Sequence, residues 1–270
     1  MEYTEHFNGL DFELKDHIAY ITFNNPKTLN ALSYDVFMAL NETFDKMKMD
    51  DNVWGVILTG AGRSFVAGAD LSDKRMQSAD FAGPTILRDV RRNIIHDCLK
   101  RILRFERPTI AAINGYCLGG GAELATCCDF RIASSKAKIG YPEVKLGGIP
   151  AYLGVTQAMK VMPPASAKEM LMTGKHYLAA EAKELGFVSR VVEPEELMNT
   201  AEELMKQITA NAPLAVKYCK IAADRCEEIN SLDVASELES LIAAVLACTE
   251  DNKEGKAAFH EKRQPIWKSR

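Results

Sequence analysis

A chain of 270 residues with 47% hydrophobic content is long enough for one large domain with a substantial core, or for a domain plus a small appendage. Charged residues make up 26% and the formal net charge is −4, so the surface as a whole attracts neither nucleic acid nor an anionic membrane, and only a local basic patch for a phosphorylated ligand stays open. No apolar run reaches the roughly 18 residues that span a bilayer. The start, Met1-Glu2-Tyr3-Thr4-Glu5-His6, is acidic where a signal peptide is basic and then apolar, so the protein is expected where it is made, in the cytoplasm, or as a form already trimmed.

In chain order, residues 11–15 and 17–23 predict a β-hairpin, with Ile18, Tyr20 and Thr22 alternating against Ala19, Ile21 and Phe23. Ser33 is placed to cap a helix in which Val36, Phe37, Leu40, Phe44 and Met47 line one face. Residues 53–59 predict a short buried strand, closed by Gly60-Ala61-Gly62. A loop to about Asp80 follows, then a long helix with Ile86, Leu87, Val90, Ile94, Cys98 and Ile102 on one stripe, broken by Pro108. Residues 109–114 read as a strand, 115–121 as a turn, 122–128 as a helix, and 130–133 and 138–140 as short strands. Strands alternating with helices predict an α/β fold with a mainly parallel sheet. Beyond Val192 four helical stretches (195–209, 214–229, 232–249 and 252–262) predict a helical C-terminal subdomain, dividing the chain into 1–195 and 196–270.

The seven cysteines are odd in number and form no C-x-x-C pair, which predicts free, mostly buried thiols in a reducing compartment. Cys117, in a glycine-rich loop, is the one alternative nucleophile, with no histidine within 20 residues of it in sequence.

Four segments can carry chemistry. Gly60-Ala61-Gly62-Arg63-Ser64-Phe65 follows a strand but fails the dinucleotide pattern, because Phe65 stands where the third glycine belongs. What remains is the small-residue loop Ala67-Gly68-Ala69, which lets a ligand approach backbone N–H groups; alone it reads equally as a tight turn. Asn114-Gly115 through Gly119-Gly120-Gly121-Ala122-Glu123 runs strand, turn, helix start, so its N–H groups and partial positive charge face whatever sits there. If Gly120 and Ala69 offer N–H groups to one point, they form an oxyanion hole; close helix–sheet packing is the competing reading. Glu123 is either a capping carboxylate or a general base, and Glu143, after Pro142, is either a loop carboxylate or its partner. Twenty residues apart, the two cannot share a helix face, and only the fold can bring them together.

These segments resemble the enoyl-CoA hydratase/isomerase (crotonase) family, in order and over nearly the whole chain. The resemblance rests on Asn25-Pro26-Lys27-Thr28-Leu29-Asn30-Ala31-Leu32, on Ser64 through Asp70, on Ala111 through Leu124, and on Gly255, Ala258-Phe259, Glu261-Lys262-Arg263 and Pro265. It implies a crotonase-like spiral of ββα units with a C-terminal helical trimerisation region, assembled as a homotrimer or homohexamer. It implies that the N–H groups of Ala69 and Gly120 bind a thioester carbonyl oxygen, and that coenzyme A lies along Lys27, Thr28, Leu29, Ala67, Gly68, Asp70 and Leu71. Phe259 and Lys262 would add to a CoA site, including that of a neighbouring subunit. Hydratases in the family carry glutamate at both acid/base positions, here Glu123 and Glu143. The expected reaction is hydration of a 2-enoyl-CoA, or its reverse, with no metal or redox cofactor, coenzyme A being part of the substrate. An enoyl-CoA isomerase using Glu143 alone and an RNA-binding protein on the same fold are the alternatives; the net charge of −4 and the lack of a basic run count against the second. The sequence departs from the family at Pro150-Ala151-Tyr152-Leu153-Gly154, where hydratases usually show Pro-Gly-Ala-Gly-Gly. Ala151 keeps an N–H for the water, while Tyr152 and Leu153 add bulk and predict a short or unusually shaped acyl group. Ser72 stands where a lysine is common.

Overall fold

The hairpin forms as its alternation predicts. Strand β2 (Leu10–Lys15) pairs antiparallel with β3 (Ile18–Phe23), and Asp16 and His17 both take positive φ, 49° and 65°, in the two-residue turn whose twist suits paired strands. A strand the alternation did not reveal, β1 (Tyr3–Phe7), pairs antiparallel with β2 at the edge. The structure is a computed structural model that describes residues 2–77 and 91–270. Helix α1 (Tyr34–Lys48) begins where Ser33 accepts the Val36 N–H at 3.3 Å, and it buries the expected stripe of Val36, Phe37, Leu40, Phe44 and Met47.

There follow β4 (Gly55–Gly60), β5 (Ser64–Val66) and α2 (Lys74–Gln77). Of the long stripe expected next, Ile86, Leu87 and Val90 lie outside the described residues. Ile94 falls in a π-helical turn, Arg91–His96, and Cys98 and Ile102 in α3 (Asp97–Leu103). The chain continues through β6 (Thr109–Ile113), β7 (Tyr116–Leu118), α4 (Gly120–Ala125), β8 (Phe130–Ser134), β9 (Lys138–Gly140) and a 3-10 turn, Pro142–Leu146. Then come α5 (Gly154–Val161), α6 (Pro164–Thr173), β10 (Tyr177–Leu178), α7 (Ala179–Glu184), β11 (Arg190–Val192), α8 (Leu197–Thr209), α9 (Pro213–Glu228), α10 (Leu232–Ala247) and α11 (Glu250–Glu261).

One local expectation is corrected. Residues 115–121 do not form a plain turn, because β7 occupies 116–118, and the helix starts at Gly120 and stops at Ala125 rather than spanning 122–128. The reason is non-local: β7 is held between β5 and β9, to which it pairs in parallel.

Two sheets result, one ordered β1-β2-β3-β4-β6-β8-β11 and one ordered β10-β9-β7-β5. The chain crosses from the large sheet to the small one at β4–β5, at β6–β7 and at β8–β9, and each time returns through helical chain. That is a spiral of ββα units. From β3 to β11 every pairing in the large sheet is parallel. Such strands bury both faces. Val56, Leu58, Ala111 and Ile113 join the main core, while Ile18, Ile57, Ile110, Ala112 and Ile132 pack under Leu197, Ala201 and Met205 of α8. Gly55 sits directly beneath the Met205 thioether, with no room for a Cβ.

Helices α9 and α10 bury none of their residues within the chain, and Leu232, Val234, Leu241 and Val245 are exposed. Lys220 ties α9 to the core by donating to Asp129 at 2.7 Å and to the Arg107 carbonyl at 3.2 Å. All seven cysteines are free; Cys98, Cys117, Cys127 and Cys128 are buried, whereas Cys219 and Cys248 are exposed on the C-terminal helices and Cys226 is half-buried.

Candidate active site

The site is built where the small sheet's loops meet the segment before α1. Asn30 is 2% exposed and holds a positive φ of 59°. Its amide donates to the carbonyls of Ala61 (3.0 Å) and Ser64 (2.8 Å) and accepts the Asn25 N–H (2.9 Å). A short polar side chain that tolerates left-handed backbone and bridges three peptides explains asparagine at this position. The two segments are then stitched together by Ala67 N–H to Leu29 O (3.1 Å), Leu32 N–H to Gly68 O (2.8 Å) and Asp70 N–H to Leu32 O (2.9 Å).

That stitching aims the first donor. In the parallel bridge between Leu32 and Ala69, the peptides flanking Ala69 bond Leu32, so the N–H of Ala69 itself faces the other way. It faces Gly120: a Cβ placed on Gly120 would stand 3.5 Å from the Ala69 nitrogen. Gly120 is the first residue of α4, so its N–H has no acceptor in its own helix. The two donors expected to converge are thus adjacent. Gly119, before them, takes φ +51° and ψ −122°, a backbone region open essentially to glycine. Gly121 has the plainer role considered from sequence, since its Cα lies against the Val66 carbonyl and a Cβ would collide with β5.

Both glutamates border this point, in contrasting environments. Glu123 is 2% exposed, and its Oε1 accepts the N–H of Tyr152 at 2.6 Å and of Gly154 at 2.9 Å. Gly154 opens α5, so the carboxylate is seated at a helix N-terminus, where negative charge is favoured. Glu143 enters from the 3-10 turn, and a Cβ on Gly119 would stand 2.7 Å from its Oε1. Its Oε2 is buried and has no hydrogen-bond partner among the described residues. Burial raises its pKa above the ordinary glutamate range, opposed only by its own backbone N–H.

The departure at 150–154 forms a wall. The Tyr152 ring carbon Cδ2 and the Leu32 Cδ1 would each lie 3.3 Å from a Cβ on Gly120, and the ring packs edge-on against Phe37 with centroids 6.0 Å apart. Leu153 adopts φ +70°, and both it and Tyr152 pack against the main core, with the Tyr152 ring standing beside Gly120. The Ala151 carbonyl accepts a 2.6 Å hydrogen bond from His96 Nε2.

The remaining predicted positions fall into two groups. Lys27 and Thr28 lie exposed on the 3-10 turn Pro26–Thr28, followed by Leu29, Ala67, Gly68, Asp70 and the exposed Leu71 around the stitched loops. The Asp70 Oδ1 is occupied by the N–H and hydroxyl of Ser72. Phe259 and Lys262 stand elsewhere, at the end of α11, where Phe259 lines a groove with Leu214, Leu246 and Trp267. Cys117 is fully buried and desolvation pushes its thiol up, which leaves it protonated and enclosed. Sequence reasoning gave no role to Asn30, Gly154 or His96. The positive φ of Asn30 had a faint signal in its residue type, whereas His96 looks like any lone polar residue in a helical stripe.

A spiral of ββα units with paired backbone donors at the start of a buried helix defines a crotonase-type protein. The family model described as enoyl-CoA hydratase/isomerase matches residues 13–270. A short-chain-enoyl-CoA hydratase of Clostridium acetobutylicum is 40% identical over 95% of this chain and 96% of its own. A crotonyl-CoA hydratase of Syntrophomonas wolfei is 35% identical over 96% and 97%. Among solved structures, an enoyl-CoA hydratase from Bacillus anthracis superposes with a TM-score of 0.91 at 32% identity, covering 97% of this chain and all of that one. The chain belongs to the enoyl-CoA hydratase/isomerase family.

Proposed function

We infer that the chain is an enoyl-CoA hydratase, adding water across the C2–C3 double bond of a short 2-enoyl-CoA or catalysing the reverse dehydration. The observation that carries this reading is the contrast between two glutamates beside one pair of backbone donors: Glu123 held by two N–H groups at a helix N-terminus, and Glu143 desolvated toward its neutral form. In the mechanism, the N–H groups of Ala69 and Gly120 donate to the thioester carbonyl oxygen. Polarising that carbonyl makes C3 electrophilic and stabilises the enolate-like transition state, each donor contributing on the order of 3 kcal/mol. Glu123 takes a proton from water as the oxygen attacks C3, and Glu143 delivers a proton to C2.

Coenzyme A lies along Lys27, Thr28, Leu29 and residues 67–71, and enters only as part of the substrate. A short acyl group fits the Tyr152 ring beside Gly120, and it accords with the names of the relatives from Clostridium acetobutylicum and Syntrophomonas wolfei. Residues 1–195 form the catalytic core and 196–270 the assembling region, with α8 packed on the large sheet as the link between them. The exposed apolar residues of α10 and Phe259 support association into a homotrimer or a pair of trimers. No helix among the described residues is long and apolar enough to cross a membrane, and the cytoplasm is the proposed location.

The test is loss of conjugated-enoyl absorbance when the purified protein meets crotonyl-CoA. Hydration supports the reading. Conversion of 3-enoyl to 2-enoyl-CoA without hydration replaces it with the isomerase.

A further inference from the structure

We propose that His96 is a positioning residue for Glu123, acting through the Ala151–Tyr152 peptide. A carbonyl oxygen only accepts, so the 2.6 Å contact between His96 Nε2 and Ala151 O requires the imidazole to donate. The same planar peptide carries the Tyr152 N–H, which points the opposite way and donates to Glu123 Oε1 at 2.6 Å. Fixing the carbonyl therefore fixes the direction of the N–H and, through it, the carboxylate. Polarisation runs the same way, because a peptide whose oxygen is hydrogen-bonded is a stronger donor at nitrogen.

The turn needs an outside brace. Leu153 holds a left-handed conformation without being glycine, φ +70° and ψ 4°, and the wall residue Tyr152 must be held with its N–H inward and its ring toward Gly120. Phe37 of α1 packs edge-on against the ring, and His96, the last residue of the π-helical turn, holds the backbone at the Ala151 carbonyl. An irregular helical turn is a recurrent way of aiming one side chain at a functional site. The histidine thus extends the catalytic support to a third element, one that contributes no group to the reacting atoms.

The proposal rests on the role of Glu123 in hydration, and two readouts keep the two separable. The first is kinetic. His96→Leu removes the donor, and His96→Gln places an amide N–H near the same point. Leucine is expected to lower kcat by about tenfold or more with KM changed less than about twofold, and glutamine to recover most of the loss. The second is amide hydrogen exchange at Tyr152 and Gly154, which needs no turnover. Exchange at Tyr152 is expected to accelerate in His96→Leu and to return toward wild type in His96→Gln. Should His96→Leu fail to fold, His96→Gln is compared with His96→Ala by the same exchange measurement. A leucine variant with wild-type kcat and unchanged Tyr152 exchange overturns the proposal. So do leucine and glutamine variants equally impaired, since that marks simple packing. Wild-type protein that fails to hydrate crotonyl-CoA rejects the hydratase reading, while the exchange data still decide whether His96 holds the peptide.

Discussion

Replacing Glu123 by glutamine or by alanine separates what holds this side chain from what it does. Glutamine keeps an Oε1 that can accept both N–H groups, now at 2.6 and 2.9 Å, so the seat survives while the proton acceptor is lost. Each bond changes from charged to neutral, a loss of about 0.5–1.5 kcal/mol. The glutamine variant should therefore lose about 1–3 kcal/mol of stability in all, and still bind CoA esters. Alanine removes the acceptor altogether and strands two donors, at about 1–3 kcal/mol each, with a further loss for the cavity in a site that is 2% exposed. It should melt distinctly below the glutamine variant. Turnover of crotonyl-CoA, followed by enoyl absorbance, should fall about 10²–10⁴-fold in Glu123→Gln, the usual worth of a general base. A glutamine variant with wild-type turnover would refute the role of Glu123. Alanine and glutamine variants with equal melting temperatures would refute the proposed seat.

For Glu143, whose pKa is raised by burial, the folded state binds the proton more tightly than the unfolded chain. Wild-type stability should fall as pH rises from the ordinary glutamate range through the raised value, and Glu143→Gln should flatten that slope in denaturant titrations across pH while losing most turnover. Gly119→Ala puts a Cβ 2.7 Å from Glu143 Oε1 on backbone that disfavours any side chain; about 1–3 kcal/mol of stability and a larger share of activity should be lost, read by thermal melts beside kcat. Tyr152→Ala keeps the N–H that seats Glu123 but clears the wall beside Gly120. Its ratio of kcat/KM for a six-carbon over a four-carbon enoyl-CoA should rise by about tenfold or more, and an unchanged ratio would remove Tyr152 from the acyl pocket.

The parts of this fold legible in the sequence are those encoded within a dozen residues. The turn at Asp16 and His17, the Ser33 cap and the stripe of α1 each state their geometry locally. The small sheet does not. Its strands β5, β7 and β9 are three residues long and exist because they pair with one another, so residues 116–118 read as turn until their neighbours are known. The site divides the same way. Three consecutive glycines at the start of a buried helix marked Gly120 as unusual, whereas the partner donor at Ala69 is aimed by Leu32, 37 positions earlier in the chain. The two glutamates became a pair through family resemblance, and their contrast in environment emerged from the fold: α5 begins at the carboxylate of Glu123, and nothing reaches Oε2 of Glu143 among the described residues. The histidine at 96 carries no local signature, since its partner is a main-chain carbonyl 55 positions away.

The clamp at Asn30 has a consequence for how the molecule comes into being. Its amide closes loops of more than thirty residues to reach Ala61 and Ser64, and such closures are entropically costly and form slowly compared with local hairpins and helices. The candidate site is therefore expected to mature after the β2–β3 hairpin and α1, whose contacts are local. A nascent chain released before the small sheet closes, or a proteolytic fragment that lacks either side of the clamp, would keep much of its secondary structure and have no partial activity. Regain of hydration during refolding would accordingly trail the recovery of helical signal.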